Sequence, residues 1–170
     1  MSNEKNMQRK WDREEVIILV TEYYKNRNLS AAKIDESYHR ISKFLRQREE
    51  LCTGKSVSDM FRNYAGIRMQ SARIRCLDSE SNLHGMQGTR LQKEIVKEFL
   101  QDPALMYAEA EKDIAAKFPG SRITLRTWST NGAQEHILDK LGYSLVRRLK
   151  DDRGEGIDTV YFVKKEENDR

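Results

Sequence analysis

No apolar run in this 170-residue chain is long enough to cross a membrane, and its opening, MSNEKNMQRK, carries no apolar signal segment. Those absences set aside membrane-spanning and secreted classes and lead to the expectation of a cytoplasmic protein. Cysteine is scarce. Cys52 and Cys76 stand alone without metal-site spacing and read as reduced, semi-buried thiols rather than a disulfide framework. The three histidines, His39, His84 and His136, are too far apart to supply a ligand pair, so no metal, catalytic residue or cofactor is assigned. A phosphate-cradling loop is missing too. Gly85 and Gly88 precede a helical pattern whose start could face an anion, but their spacing fits neither the P-loop nor the dinucleotide fingerprint.

What the chain does have is charge, unevenly placed. Its 34% charged residues give a net +4. Between residues 40 and 75, however, nine Lys and Arg residues face only Glu49, Glu50 and Asp59, a local excess of six. A basic segment in a near-neutral chain is the electrostatic footprint of a nucleic-acid binder, and equally that of a solvated basic helix. With 38% hydrophobic residues the chain can bury a core, as one domain or as a small domain with an appendage.

The basic segment contains KSVSDMFRNYAGIRMQSARIRCL, residues 55–77. Ser56 is placed to cap a short helix with Asp59 as its capping-box acid and Val57, Met60 and Phe61 turned inward. Asn63 to Gly66 read as a turn, with a second helix from Ile67. At about 100° per residue Ile67, Ile74 and Leu77 share one side of that helix, and Arg68, Ser71 and Arg75 share another. The pattern predicts a helix-turn-helix that faces DNA. Its expected contacts are Arg68 and Arg75, with Gln70 and Ser71 beside them. Lys43, Arg46, Lys55 and Arg62 would add attraction to phosphates.

Upstream, Asp12 and Glu15 form a capping-box pattern with Trp11 and Val16 as staple, opening a dense apolar run to Tyr24 that predicts a central core helix. Ser30 caps the next pattern, where Ile34, Tyr38, Ile41 and Leu45 fall on one face and His39 falls off it. Residues 78–89 read as a loop; helices around Leu91 to Leu100 and after Asp102-Pro103 follow. Past Phe118, Pro119 and Gly120 the pattern changes to strand, helix, strand, strand. Ser129 or Thr130 would cap the helix and Gly142 close it, with a hairpin around DDRGEG. The predicted class is α+β: a flexible start over 1–10, a helical domain over 11–117, a small β-α-β-β appendage over 121–165 and a flexible tail over 166–170.

The opening WDREEVIILVTEYY resembles the start of Myb or SANT-like domains. The ordered set from there through RISKFLRQR, KSVSDMFRNYAGIRMQSARIRCLD and LHGMQGTRLQKEIVKEF resembles the helical domain at the front of bacterial HNH restriction-type endonucleases and related defence proteins. That resemblance covers about residues 11–111 and implies DNA contacts rather than chemistry, since no HNH-type histidine cluster follows. ITLRTWSTNGAQEHILDKLGYSLVRR and DTVYFVKK resemble the last third of GNAT-type acetyltransferases, whose cofactor site needs an upstream sheet that nothing before Gly120 suggests. The same end is similar to the start of Mrr-like nuclease cores, in which Asp158 would be the first metal-binding acid. Such a core also needs an acid two residues before its lysine, and Lys164 and Lys165 lack one.

The expectation is therefore a bacterial or phage-type protein that binds double-stranded DNA, with a homodimer formed through the strand edges of the appendage. Two alternatives stay open: an interaction factor of a defence or counter-defence system, its basic face meeting an acidic protein, and an enzyme of the acetyltransferase or metal-nuclease kind.

Overall fold

A computed structural model describes residues 9–117, 120 and 122–164. The chain is α+β. Among the described residues it forms α1 (Arg13–Asn26), α2 (Ala31–Thr53), α3 (Tyr64–Arg75), α4 (Arg90–Gln101), α5 (Pro103–Lys117), β1 (Thr124–Trp128), α6 (Gly132–Lys140), β2 (Tyr143–Leu149) and β3 (Thr159–Lys164). Two compact units divide between Gln101 and Asp102, so α5 belongs with the sheet and not with the first four helices. Most of the expected flexible start, the tail and the boundary residues Phe118 and Pro119 lie outside the described residues. Arg9, placed in that start, is held by Asp12, Glu15 and Glu49.

In the first unit α1 packs against α2, α3 and α4. Its capping box forms as the sequence predicts: the Glu15 amide donates to Asp12 and the Asp12 amide to the Glu15 carboxylate. Val16, Ile17, Leu19 and Val20 are buried and meet a core to which α2 gives Ile41 and Leu45, α3 gives Ile67 and Ile74, and α4 gives Ile95, Val96 and Phe99. Tyr24 stacks on Phe99 with ring centroids 4.9 Å apart, and burial raises its hydroxyl to about 12. A second capping box, reciprocal between Thr89 and Gln92, starts α4.

The segment before α3 differs from the prediction. Residues 56–62 form no helix: an irregular stretch over 56–58 leads into a turn over 59–62, with the Phe61 amide donating to the Ser58 carbonyl. Asn63, read as part of a turn, is the N-cap of α3, accepting from the Gly66 amide, so that α3 begins at Tyr64 rather than Ile67. The helix-turn-helix pairing is therefore absent. A long α2, ended by left-handed Gly54, leads through an irregular bend to α3. What replaces the missing helix is a set of bonds from α2: Arg46 donates to the Ser58 and Phe61 carbonyls, and the Ser42 hydroxyl to the Arg62 carbonyl, each at 2.8 Å.

In the second unit β3 is central, antiparallel to β1 and β2, in the order β1-β3-β2. Asn131 caps α6 rather than Ser129 or Thr130, and Gly142 follows the helix at φ 78°. Leu138 from α6 packs on Tyr143, Val160 and Phe162. From α5, Tyr107 donates to Gln134, and Glu111 pairs with Lys164 at 2.7 Å. β1 and β2 are both sheet edges, and no strand precedes Thr124 among the described residues. No helix of the chain is long and apolar enough to cross a membrane among those residues.

Candidate nucleic-acid interface

Of the eight residues expected to meet DNA, the structure turns four outward: Arg68 and Arg75 on α3, Lys43 on α2, and Lys55 past the end of α2. About 15 Å of helix axis separates Lys43 from the end of α2, so Lys55 stands apart. The other four are corrected. Arg62 is the largest fully buried side chain, 2% exposed. Its Nε and Nη2 donate to both oxygens of buried Glu15 at 2.9 and 2.8 Å, and Nη2 also reaches the Arg9 and Lys10 carbonyls. The guanidinium lies 4.0 Å from the Trp11 ring centroid and 4.6 Å from that of Phe61. Arg46 is spent on the 58–62 bend. Gln70 is buried, its carbonyl oxygen taken by Gln92 at 2.9 Å. Ser71 is buried as well, because at about 100° per residue it falls nearer Ile67 than Arg68.

The remaining basic residues on α3 form a coherent face. Starting the helix at Tyr64 puts Tyr64, Arg68 and Arg75 within about 40° of one another. Neither arginine pairs with a carboxylate among the described residues; Arg75 donates to the Ser81 hydroxyl at 3.3 Å. Across from them α2 supplies Tyr38 and His39. His39 stacks on Tyr64 with centroids 4.3 Å apart, and Tyr38 meets the same ring edge-on at 6.3 Å. Asp35 accepts from the Tyr64 hydroxyl and holds that ring in place. Burial raises the Tyr38 hydroxyl above its ordinary value, while the nearby Arg75 and Arg68 charges oppose that rise. The aromatic members were missed by the sequence reading. Asn63 at N-cap spacing from Gly66 was the signal that could have found Tyr64.

Beside this face a cleft of about 300 Å³ opens between α1, α2 and α3, lined by Tyr23, Arg27, Tyr38, Ser71 and Arg75 among others. Two of its lining residues are tied to Asp78, which accepts from Tyr23 at 2.8 Å and Arg27 at 2.7 Å. Burial alone would raise that carboxyl; the bonds from Arg27 and Tyr23 outweigh it and hold the group below its ordinary value. Arg27 also reaches Glu80. This cluster ties the segment that follows α3 to the end of α1 through the Asp78 and Glu80 carboxylates.

The other candidates do not converge. Asp158 accepts from the Asp151 amide and from Arg148 and so closes the 150–158 turn, while Lys164 is taken by Glu111 and the Leu141 carbonyl. His39 stacks on Tyr64 as described. Cys52 is exposed rather than semi-buried, whereas Cys76 is partly buried. No group of three or more His, Cys, Asp or Glu among the described residues is arranged to hold a metal ion. Comparison of the chain with family models, with curated proteins and with solved structures gives no match.

Proposed function

We propose that the first unit binds double-stranded DNA through the α2–α3 face, as a module of restriction or phage-defence type. The observation that carries this reading is the pair Arg68 and Arg75: exposed, on one stripe of α3, and without carboxylate partners among the described residues, where Arg9, Arg13, Arg27, Arg62 and Arg90 of the same unit are paired. Guanidinium groups in that state attract phosphates and release counterions, and Lys43 adds to the attraction. Tyr64 and His39, held as a stack beside them, offer a flat polar-aromatic surface to a sugar-phosphate backbone. The resemblance of residues 11–111 to the helical domain of HNH restriction-type endonucleases points the same way. Phosphate contacts of this kind position a protein on a duplex.

The test is fluorescence anisotropy of a labelled duplex of about two helical turns against wild-type protein and the Arg68→Ala/Arg75→Ala variant at low salt. Binding that the folded variant loses supports the reading. No binding by the wild type at about 50 mM salt overturns it and leaves an acidic protein as the partner for this face.

A further inference from the structure

We propose that the outer face of the three-stranded sheet in the second unit docks single-stranded DNA, with Tyr161 as the base-stacking platform and Arg126 and Arg147 as phosphate contacts. This inference stands on a different surface from the duplex reading and does not depend on it.

Strand register defines the face. Arg126 on β1 and Arg147 on β2 both lie directly opposite Tyr161 on β3, so the three form one row across the sheet, on one side of it. The next row is Trp128, Thr159 and Leu149; on the other flank stand Thr124, Val163 and Ser144. A register shift between Leu145 and Arg147 brings Arg147 into line with Tyr161. Its guanidinium lies 6.0 Å from the Tyr161 ring centroid. Residues of the opposite parity, Val160 and Phe162, form the core with Leu138, and Lys164 on that side reaches Glu111 of α5. Both helices of the unit therefore pack on the far side.

Charge complementarity names the occupant. Neither Arg126 nor Arg147 pairs with a carboxylate among the described residues, and Arg147 is exposed. Two cations about 10 Å apart across two strand spacings flank a half-exposed aromatic ring. That combination suits a polyanion whose bases are free to stack, which a duplex does not offer and a single strand does. Arg153, 5.3 Å from the Trp128 centroid and bonded to Thr159, extends the same mix of ring and guanidinium into the next row. Asp152 is the acid at that end, and it is engaged by the Thr159 hydroxyl at 2.6 Å. The rows offer only the hydroxyls of Thr124, Ser144, Thr159 and Tyr161 as side-chain acceptors, and hold no carboxylate to repel the phosphates of a DNA strand.

Fluorescein-labelled dT15 and the full chain, at about 50 mM salt, test the proposal. Arg126→Ala/Arg147→Ala should weaken dT15 binding about tenfold or more, and Tyr161→Leu about fivefold to a hundredfold. Arg68→Ala/Arg75→Ala should leave it within about twofold, which separates this face from the α3 face. Circular dichroism and melting of each variant keep the reading valid; if Tyr161→Leu does not fold, the exchange of the two unpaired arginines carries the test. The proposal is overturned if dT15 fails to bind, or if the folded arginine variant binds as tightly as wild type. It is also overturned if these substitutions instead dissociate a homodimer, which would make the face a protein contact.

Discussion

Two regions of the first unit use the same residue type in opposite ways. Where the start of α1 meets the 58–62 bend, arginines are consumed by the protein. Arg62 is buried against Glu15, Trp11 and Phe61, Arg46 is bonded to two carbonyls, and Arg48 is 4% exposed beside Asp12 at 3.4 Å. On the α2–α3 face, Arg68 and Arg75 point outward and neither is paired with a carboxylate among the described residues, the one acid there, Asp35, being engaged by the Tyr64 hydroxyl. Counting basic residues along the sequence adds the two groups together, whereas only the second is exposed to a partner. Within the bend Arg46 and Ser42 substitute for the missing helix: the Arg46 guanidinium donates to the Ser58 and Phe61 carbonyls and the Ser42 hydroxyl to that of Arg62, acceptors an irregular segment cannot fill with a helical ladder.

The sharpest way to break this contrast is to remove one side of the buried pair. Arg62→Ala takes the fully buried cation away from Glu15 and leaves the part-exposed Arg9 as that carboxylate's remaining partner, and chemical denaturation of the first unit's transition should show a loss of about 3 kcal/mol. A loss below about 1 kcal/mol would mean that Arg62 is not the anchor of the bend. A smaller effect is expected at the neutral counterpart. Gln92→Ala strands the buried Gln70 amide and should cost about 1–3 kcal/mol by the same measurement, with the Thr89 amide also losing its acceptor in the capping box of α4.

Acid sharpens the comparison further. Asp78 and Asp12 are both held below their ordinary values. For Asp12 too, burial would raise the group, but the Glu15 amide and then Arg48 outweigh it. A carboxyl depressed by folding contributes stability that is complete above its unfolded value, near about pH 4, and is lost as pH falls through the lower folded value. Melting temperature should therefore drop steeply below about pH 4, and Asp78→Asn should flatten that drop while lowering stability at neutral pH. An unchanged acid limb in Asp78→Asn would contradict the assignment. The smallest effect belongs to the outward group, where Arg68→Ala should change stability by no more than about 0.5 kcal/mol.

Much of the fold was legible because its signals are local. The Asp12 and Ser30 caps, the apolar run from Val16, the Ile41 and Leu45 spacing and the β-α-β-β order each rest on a few neighbouring residues. Two of the misreadings, Arg62 and Gln70, come from distance along the chain. Arg62 reaches Glu15 across 47 residues, and Gln70 meets Gln92 across 22, so neither partner appears in a window that reads helix faces. The false helix at 56–62 arose from a Ser and an Asp at capping-box spacing that lack enough residues afterwards to bury a face. Ser71 was legible after all: an angular position closer to Ile67 than to Arg68 put it inside. Arg126, Tyr161 and Arg147 could not be read as a row, since only strand register brings β1, β3 and β2 into line.

The most direct test of the division between consumed and available arginines is the salt dependence of duplex binding, compared between wild type and Arg68→Ala/Arg75→Ala over about 50 to 200 mM salt. We expect a log-log slope shallower by about 2 in the variant, with circular dichroism and melting unchanged, because two phosphate contacts are lost and no packing is disturbed. A slope equal to that of the wild type in a folded variant would contradict the account, since the α2–α3 face would then not be where this protein meets DNA.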